Sequence, residues 1–171
     1  TMTKLLLMLM MVGLWSGCGK EINTHTEKYD NGKVKAKGNL VDGKREGKWS
    51  GYHENGEVKW EKTYVNGKVE GKSVYYWLSG KVSMEENHVG GKLEGRVITY
   101  HESGKLKGEG DFTEGNGKMT NYYESGEVSW KGEYKDGDMG GKWVLYDKSG
   151  NITDEDIYEN GVCVEMCEEG D

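Results

Sequence analysis

The chain has 171 residues, with 23 Lys or Arg against 30 Asp or Glu and a formal charge of −7. That balance repels phosphate backbones and acidic lipid headgroups on average, which argues against nucleic acid and phosphoinositides as partners. Twenty-eight glycines, no proline, and eleven Tyr with six Trp against one Phe suit many tight turns around a thin aromatic layer rather than one aliphatic core.

At the amino terminus, Lys4 precedes an apolar run from Leu5 to Val12, followed by Gly13-Leu14-Trp15-Ser16-Gly17-Cys18. A basic residue, a short apolar stretch and small residues at the end have the layout of a secretory signal peptide, and the run is too short to span a bilayer. Ser16-Gly17-Cys18 further resembles the lipobox of bacterial lipoproteins, in which the cysteine is acylated and becomes the first residue after cleavage. Trp15 departs from that pattern by standing where an aliphatic residue is usual. The expected arrangement is translation from Met2, a signal peptide over 1–17, and a lipidated Cys18 with a polar tether over 18–28. That implies a membrane-attached protein of the bacterial cell envelope, facing the periplasm or the surface.

From residue 29 to residue 162 a block of about twenty-four residues recurs six times. Its first glycines are Gly32, Gly56, Gly80, Gly104, Gly126 and Gly150, spaced 24, 24, 24, 22 and 24. A second glycine follows each by eleven residues, at Gly43, Gly67, Gly91, Gly115, Gly137 and Gly161. A third sits at Gly47, Gly71, Gly95 and Gly141, and arrives early at Gly117, so the short spacing is a two-residue deletion in the fourth turn. A fixed period of this length predicts a stack of small identical units.

Within a unit, counting from the first glycine, positions +2 and +8 are occupied by pairs such as Val58 and Tyr64 or Leu106 and Phe112. Alternation over eight residues predicts a strand with one buried face, closed by Asn-Gly, Asp-Gly or Ser-Gly turns. A shorter return strand ends on Tyr52, Tyr76, Tyr100, Tyr122 or Tyr146, and these five rings are expected to stack in the core. The fold class is all-β: an elongated, twisted antiparallel sheet of repeated hairpins, on the order of 50–60 Å long at two strands per unit.

Tyr64-Val-Asn-Gly-Lys-Val-Glu-Gly-Lys72 followed by Tyr75-Tyr-Trp-Leu-Ser-Gly-Lys-Val82 resembles the bacterial variant of the membrane occupation and recognition nexus (MORN) repeat. The signature recurs as Val89-Gly-Gly-Lys-Leu-Glu-Gly-Arg96. The resemblance covers roughly residues 28–162 and implies twisted hairpin sheets. Many bacterial proteins of this kind carry an antitoxin label, so it also implies a toxin partner as an alternative to a general scaffold role.

The turn lysines Lys44, Lys48, Lys68, Lys72, Lys92 and Lys118 are interleaved with Glu46, Glu70 and Glu94 and are expected to form a mutually compensated, solvated row. His53 and His101 share one repeat position but lie two units apart, roughly 20 Å, too far to share a metal. They are expected to be repeat drift. Residues 163–171 form a terminal cap in which Cys163 and Cys167 admit a local disulfide, free thiols or, least of all, a metal site. Asp154 and Asp156 occupy the inward face of the sixth strand and are expected to reach solvent there.

A flat repeat with no convergent nucleophile and base, no phosphate loop and no metal spacing predicts neither catalysis nor a cofactor. The expected function is protein binding or scaffolding. Trp60, Met84 and Trp130, all at +4, are the candidate binding face, with core packing as the alternative.

Overall fold

In a computed structural model, which describes residues 22–165, fifteen strands form one open, twisted antiparallel sheet. They are β1 (Ile22–Lys28), β2 (Val34–Val41), β3 (Lys44–Tyr52), β4 (Val58–Val65), β5 (Lys68–Val69), β6 (Gly71–Tyr76), β7 (Val82–Val89), β8 (Lys92–Leu93), β9 (Gly95–Tyr100), β10 (Leu106–Thr113), β11 (Asn116–Tyr122), β12 (Val128–Lys135), β13 (Asp138–Tyr146), β14 (Ile152–Glu159) and β15 (Val162–Glu165). Each long strand pairs with its sequence neighbours, and the two-residue β5 and β8 pair with β4 and β7. The path is an uninterrupted meander, as expected from units that contact only the next unit.

The turns follow from their residues. Asn66-Gly67, with φ of 51° and 82°, and Asp136-Gly137, with 52° and 93°, put both central residues in the left-handed region. That is the two-residue hairpin turn whose twist matches a twisted sheet, and it selects Asn, Asp and Gly. Glu114 occupies the same position at φ 52° without the short amide or carboxylate side chain that tolerates it.

Two irregularities shape each unit. Tyr52 pairs with Val58 and Gly51 with Trp60, so Lys59 is an extra, bulged residue; the same step recurs at Ser83, Lys107, Ser129 and Thr153. The bulge moves +2 to the opposite face from +4, +6 and +8. The expectation that +2, +8 and the five tyrosines share one core is therefore corrected. Tyr64 and Phe112 at +8 are buried on one face, whereas Val58 and Val82 at +2 lie on the other with Tyr52 and Tyr76.

The second irregularity is two extra residues in the return strand. Glu61 pairs with Val74 and Tyr64 with Val69, which leaves four residues, 70–73, facing two, Lys62 and Thr63. In the fourth unit the ladder runs without a break from Gly108↔Asn121 to Thr113↔Asn116. The two-residue deletion removes this double bulge and leaves both strands intact.

The core face holds two apolar clusters. One is Ala36, Trp49 and Tyr64, with Leu40, Trp60 and Val69 against it; the other is Val97, Phe112 and Met119, with Met84, Leu93, Trp130 and Tyr134. Large rings fit on a single sheet because glycine stands beneath them. A Cβ on Gly38 or Gly132 would intrude on the indole of Trp49 or Trp143, and one on Gly51 would intrude on Trp60. Each of the first two indoles then donates from Nε1 to the carbonyl after its glycine, Asn39 at 3.0 Å and Glu133 at 3.2 Å, so no buried N–H is lost.

Candidate protein-binding surface

The face opposite the clusters is built from the same repeat positions in every unit. The bulge sends the terminal tyrosine and the +2 aliphatic residue there together, and the five tyrosines are all half-buried on it. Beside them lie the half-buried Val74, Ile98 and Val144. Among the described residues no second layer covers this face, since every strand belongs to the one sheet.

A ladder of ion pairs crosses it. Lys48 reaches Glu61 at 3.2 Å, Lys72 reaches Glu85 at 2.7 Å, Arg96 pairs with Glu109, Lys118 reaches Glu133 at 2.7 Å and Lys142 reaches Glu155 at 2.7 Å. Three of the row lysines, Lys48, Lys72 and Lys118, thus pair across to the neighbouring strand. Glu46, Glu70 and Glu94 do something else: each accepts the backbone N–H of the next unit's turn, at Asn66, Gly90 and Glu114, over 2.7–2.9 Å. The expected Lys–Glu compensation within the turn row is replaced by these two separate sets. Asn116 performs the glutamate's task in the shortened fourth unit, accepting from Asp136 N at 3.1 Å.

Two tyrosines are tied into the ladder. Tyr76 donates to Glu61 and Tyr122 to Glu109, both at 3.1 Å. Burial first, and then the neighbouring carboxylate, pushes both hydroxyls above the ordinary tyrosine value. The hydrogen bond from Arg96, and then that from Tyr122, holds the Glu109 carboxyl below its ordinary range.

Shallow notches recur between units at equivalent positions. One of about 350 Å³ is bordered by Val34, Lys37, Tyr52 and Gly56, and another of about 480 Å³ by Val82, Glu85, Tyr100 and Gly104. Their walls match except at +5, where Lys37 and Glu85 have opposite charge. The surface thus consists of aromatic and aliphatic side chains edged by paired charges.

Trp60, Met84 and Trp130 are half-buried on the other face. Trp60 packs against the Trp49 cluster and Met84 and Trp130 against the Phe112 cluster, with Trp130 and Trp143 ring centroids 4.8 Å apart. Asp154 and Asp156 are also half-buried there, and Asp156 pairs with Trp143. Cys163, on β15, is disulfide-bonded. Cys18 and Cys167 lie outside the described residues, as do the expected signal peptide over 1–17 and the first part of the expected tether.

The positions of His53 and His101 are not drift. Tyr29, His53, Trp77, His101 and Tyr123 each present a ring donor to the carbonyl of the tyrosine that ends the next return strand, Tyr52, Tyr76, Tyr100, Tyr122 and Tyr146, over 2.6–3.2 Å. Three ring chemistries serve because each supplies one O–H or N–H at the same reach. The last unit has Asp147 there, which instead accepts from Ser149 N and Asn151 N in its own turn. The signal was legible: five consecutive units carry a ring with a donor, and the terminal unit does not.

Comparison with known proteins agrees with the hairpin frame. The family described as "MORN repeat variant" matches residues 45–66 and 93–114, the same frame across the junctions of units one and two and of units three and four. No curated protein matches the chain. Among solved structures, 78% of this chain aligns with a chain of the GtfA/B complex bound to UDP and GlcNAc, at 11% identity and a TM-score of 0.25, over 23% of that chain's length. The protein is an all-β repeat protein with MORN-variant matches at two positions.

Proposed function

We propose that this sheet is a protein-binding module held at the cell envelope by a lipid on Cys18, with the tyrosine face as its contact surface. The observation that carries the reading is the repetition on that face. One half-buried tyrosine per unit, from Tyr52 to Tyr146, lies beside an aliphatic neighbour and a cross-strand ion pair. Repeated, similar contact sites along a sheet suit an extended partner. The charge of −7 disfavours an anionic polymer.

The anchor is supported by the apolar run from Leu5 to Val12 and by Ser16-Gly17-Cys18. Metabolic labelling with a palmitate analogue tests it: label on the native chain that vanishes in Cys18→Ser supports it. Absence of label in both, with the protein in the cytoplasm, overturns it and favours neutralisation of a toxin by direct contact. The contact surface is tested separately by a photocrosslinking residue at Tyr100 or at Trp130. Discrete adducts from Tyr100 alone are expected, and adducts from Trp130 alone would transfer the binding role to the other face.

A further inference from the structure

The buried residues of the two apolar clusters do not meet, and the row between them is carried by the half-buried Trp60, Tyr75 and Met84, paired in turn. Between residues 65 and 96 the only buried side chains are Ser73 and Glu86, paired directly across β6 and β7. Ser73 is fully buried, and its Oγ has no hydrogen-bond partner; nor does the buried Nδ1 of His88. Glu86 Oε1 accepts from the Tyr75 hydroxyl at 2.7 Å and lies 3.8 Å from His88 Nε2, beyond hydrogen-bond reach. Lys62 Nζ stands 4.7 Å from the Tyr75 ring centroid. Elsewhere the position of Ser73 holds Trp49, Val97, Met119 or Trp143, and that of His88 holds Leu40, Tyr64, Phe112, Tyr134 or Tyr158.

We propose that this polar seam is a pH-sensitive joint, at which protonation of His88 opens the β6–β7 hairpin and uncouples the half of the sheet built on Trp49 from the half built on Phe112. The groups facing His88 decide the direction. Burial is the largest influence and holds the imidazole below its ordinary value of 6.5; Lys62 acts the same way, and Glu86 and Glu70 oppose it. The nearer oxygen of Glu86 is already engaged by Tyr75, while Leu93 of β8 and Gly71 of β6, directly opposite His88, carry no charge. An imidazolium in the closed seam gains the attraction of the Glu86 carboxylate at 3.8 Å, already hydrogen-bonded to Tyr75, but its own desolvation outweighs that gain and Lys62 adds a like charge. In the open seam water solvates it, together with Ser73 and His88 Nδ1. The open state binds the extra proton, so opening becomes easier as pH falls from about 6.5 to the depressed pKa of the closed seam, and is independent of this group outside that window.

Hydrogen exchange of the folded chain at a series of pH values, corrected for intrinsic rates, tests the proposal. Protection across residues 71–89 is expected to fall by up to about tenfold per pH unit between about 6.5 and the depressed pKa of His88 in the closed seam, while protection around Trp49 and Phe112 holds. His88→Phe, which installs the residue found at Phe112, is expected to abolish the selective loss. His88→Gln, polar and without a titrating ring, does the same if the Phe variant fails to fold. Uniform loss along the sheet, or selective loss that persists in either folded variant, would overturn the proposal.

Discussion

The β2–β3 and β4–β6 hairpins follow the same path, with the same turn and the same double bulge, yet they fill one row of the core face in opposite ways. The first sets Trp49 over Gly38, so the missing Cβ makes room for an indole that is fully buried. The second sets Ser73 beside Lys62 and leaves a buried hydroxyl without a partner. Unit five repeats the first solution with Trp143 over Gly132. A repeat frame held by turns and backbone ladders thus tolerates both an aromatic and a polar filling, and the filling decides how strongly each unit is coupled to its neighbours.

The largest effect that would sharpen this contrast is at the indole itself. Trp49→Ala is expected to cost about 3–5 kcal/mol in denaturant unfolding, whereas Ser73→Ala should be close to neutral because it removes an unsatisfied hydroxyl. Comparable losses in both would break the distinction between the two fillings. Gly132→Ala comes next, at roughly 1–3 kcal/mol, since the added methyl meets Trp143 and the indole must move; an unchanged midpoint would show that ring to be loosely held.

Smaller effects test the frame shared by all units. Glu114→Asn is expected to gain roughly 0.5–1 kcal/mol in thermal unfolding, because asparagine tolerates the left-handed conformation that glutamate adopts only at a cost. On the tyrosine face, the Arg96–Glu109 pair contributes stability that is full above the ordinary glutamate value of 4.5 and is lost as pH falls through the depressed one. Glu109→Gln should make unfolding midpoints slightly less sensitive to acid over that range, and an unchanged pH profile would leave the pair without energetic weight.

Much of the fold was legible in the sequence. Period, turn chemistry and strand alternation are local properties, so the glycine spacings and the Asn-Gly and Asp-Gly pairs led directly to a meander of hairpins; the deletion at Gly117 was placed in the right unit, but it removes the return strand's double bulge and leaves the turn intact. The candidate surface was less legible. Its tyrosines look like core when alternation is counted from Val58 to Tyr64, because a single bulged residue at Lys59 leaves no mark in composition and yet exchanges the faces. The turn glutamates were read as charge partners for lysine, when their role is to accept a backbone N–H twenty residues away.

The amino-acid sequence by itself determined the all-β repeat and its turns, because each rests on the conformational preferences of a few adjacent residues. Tertiary structure decided which face each ring occupies, which carboxylate serves a backbone and which an ion pair, and where the core is interrupted. Those outcomes depend on cross-strand register and on what stands beside Trp49, Ser73 and His88 in space, and neither can be read along a single strand.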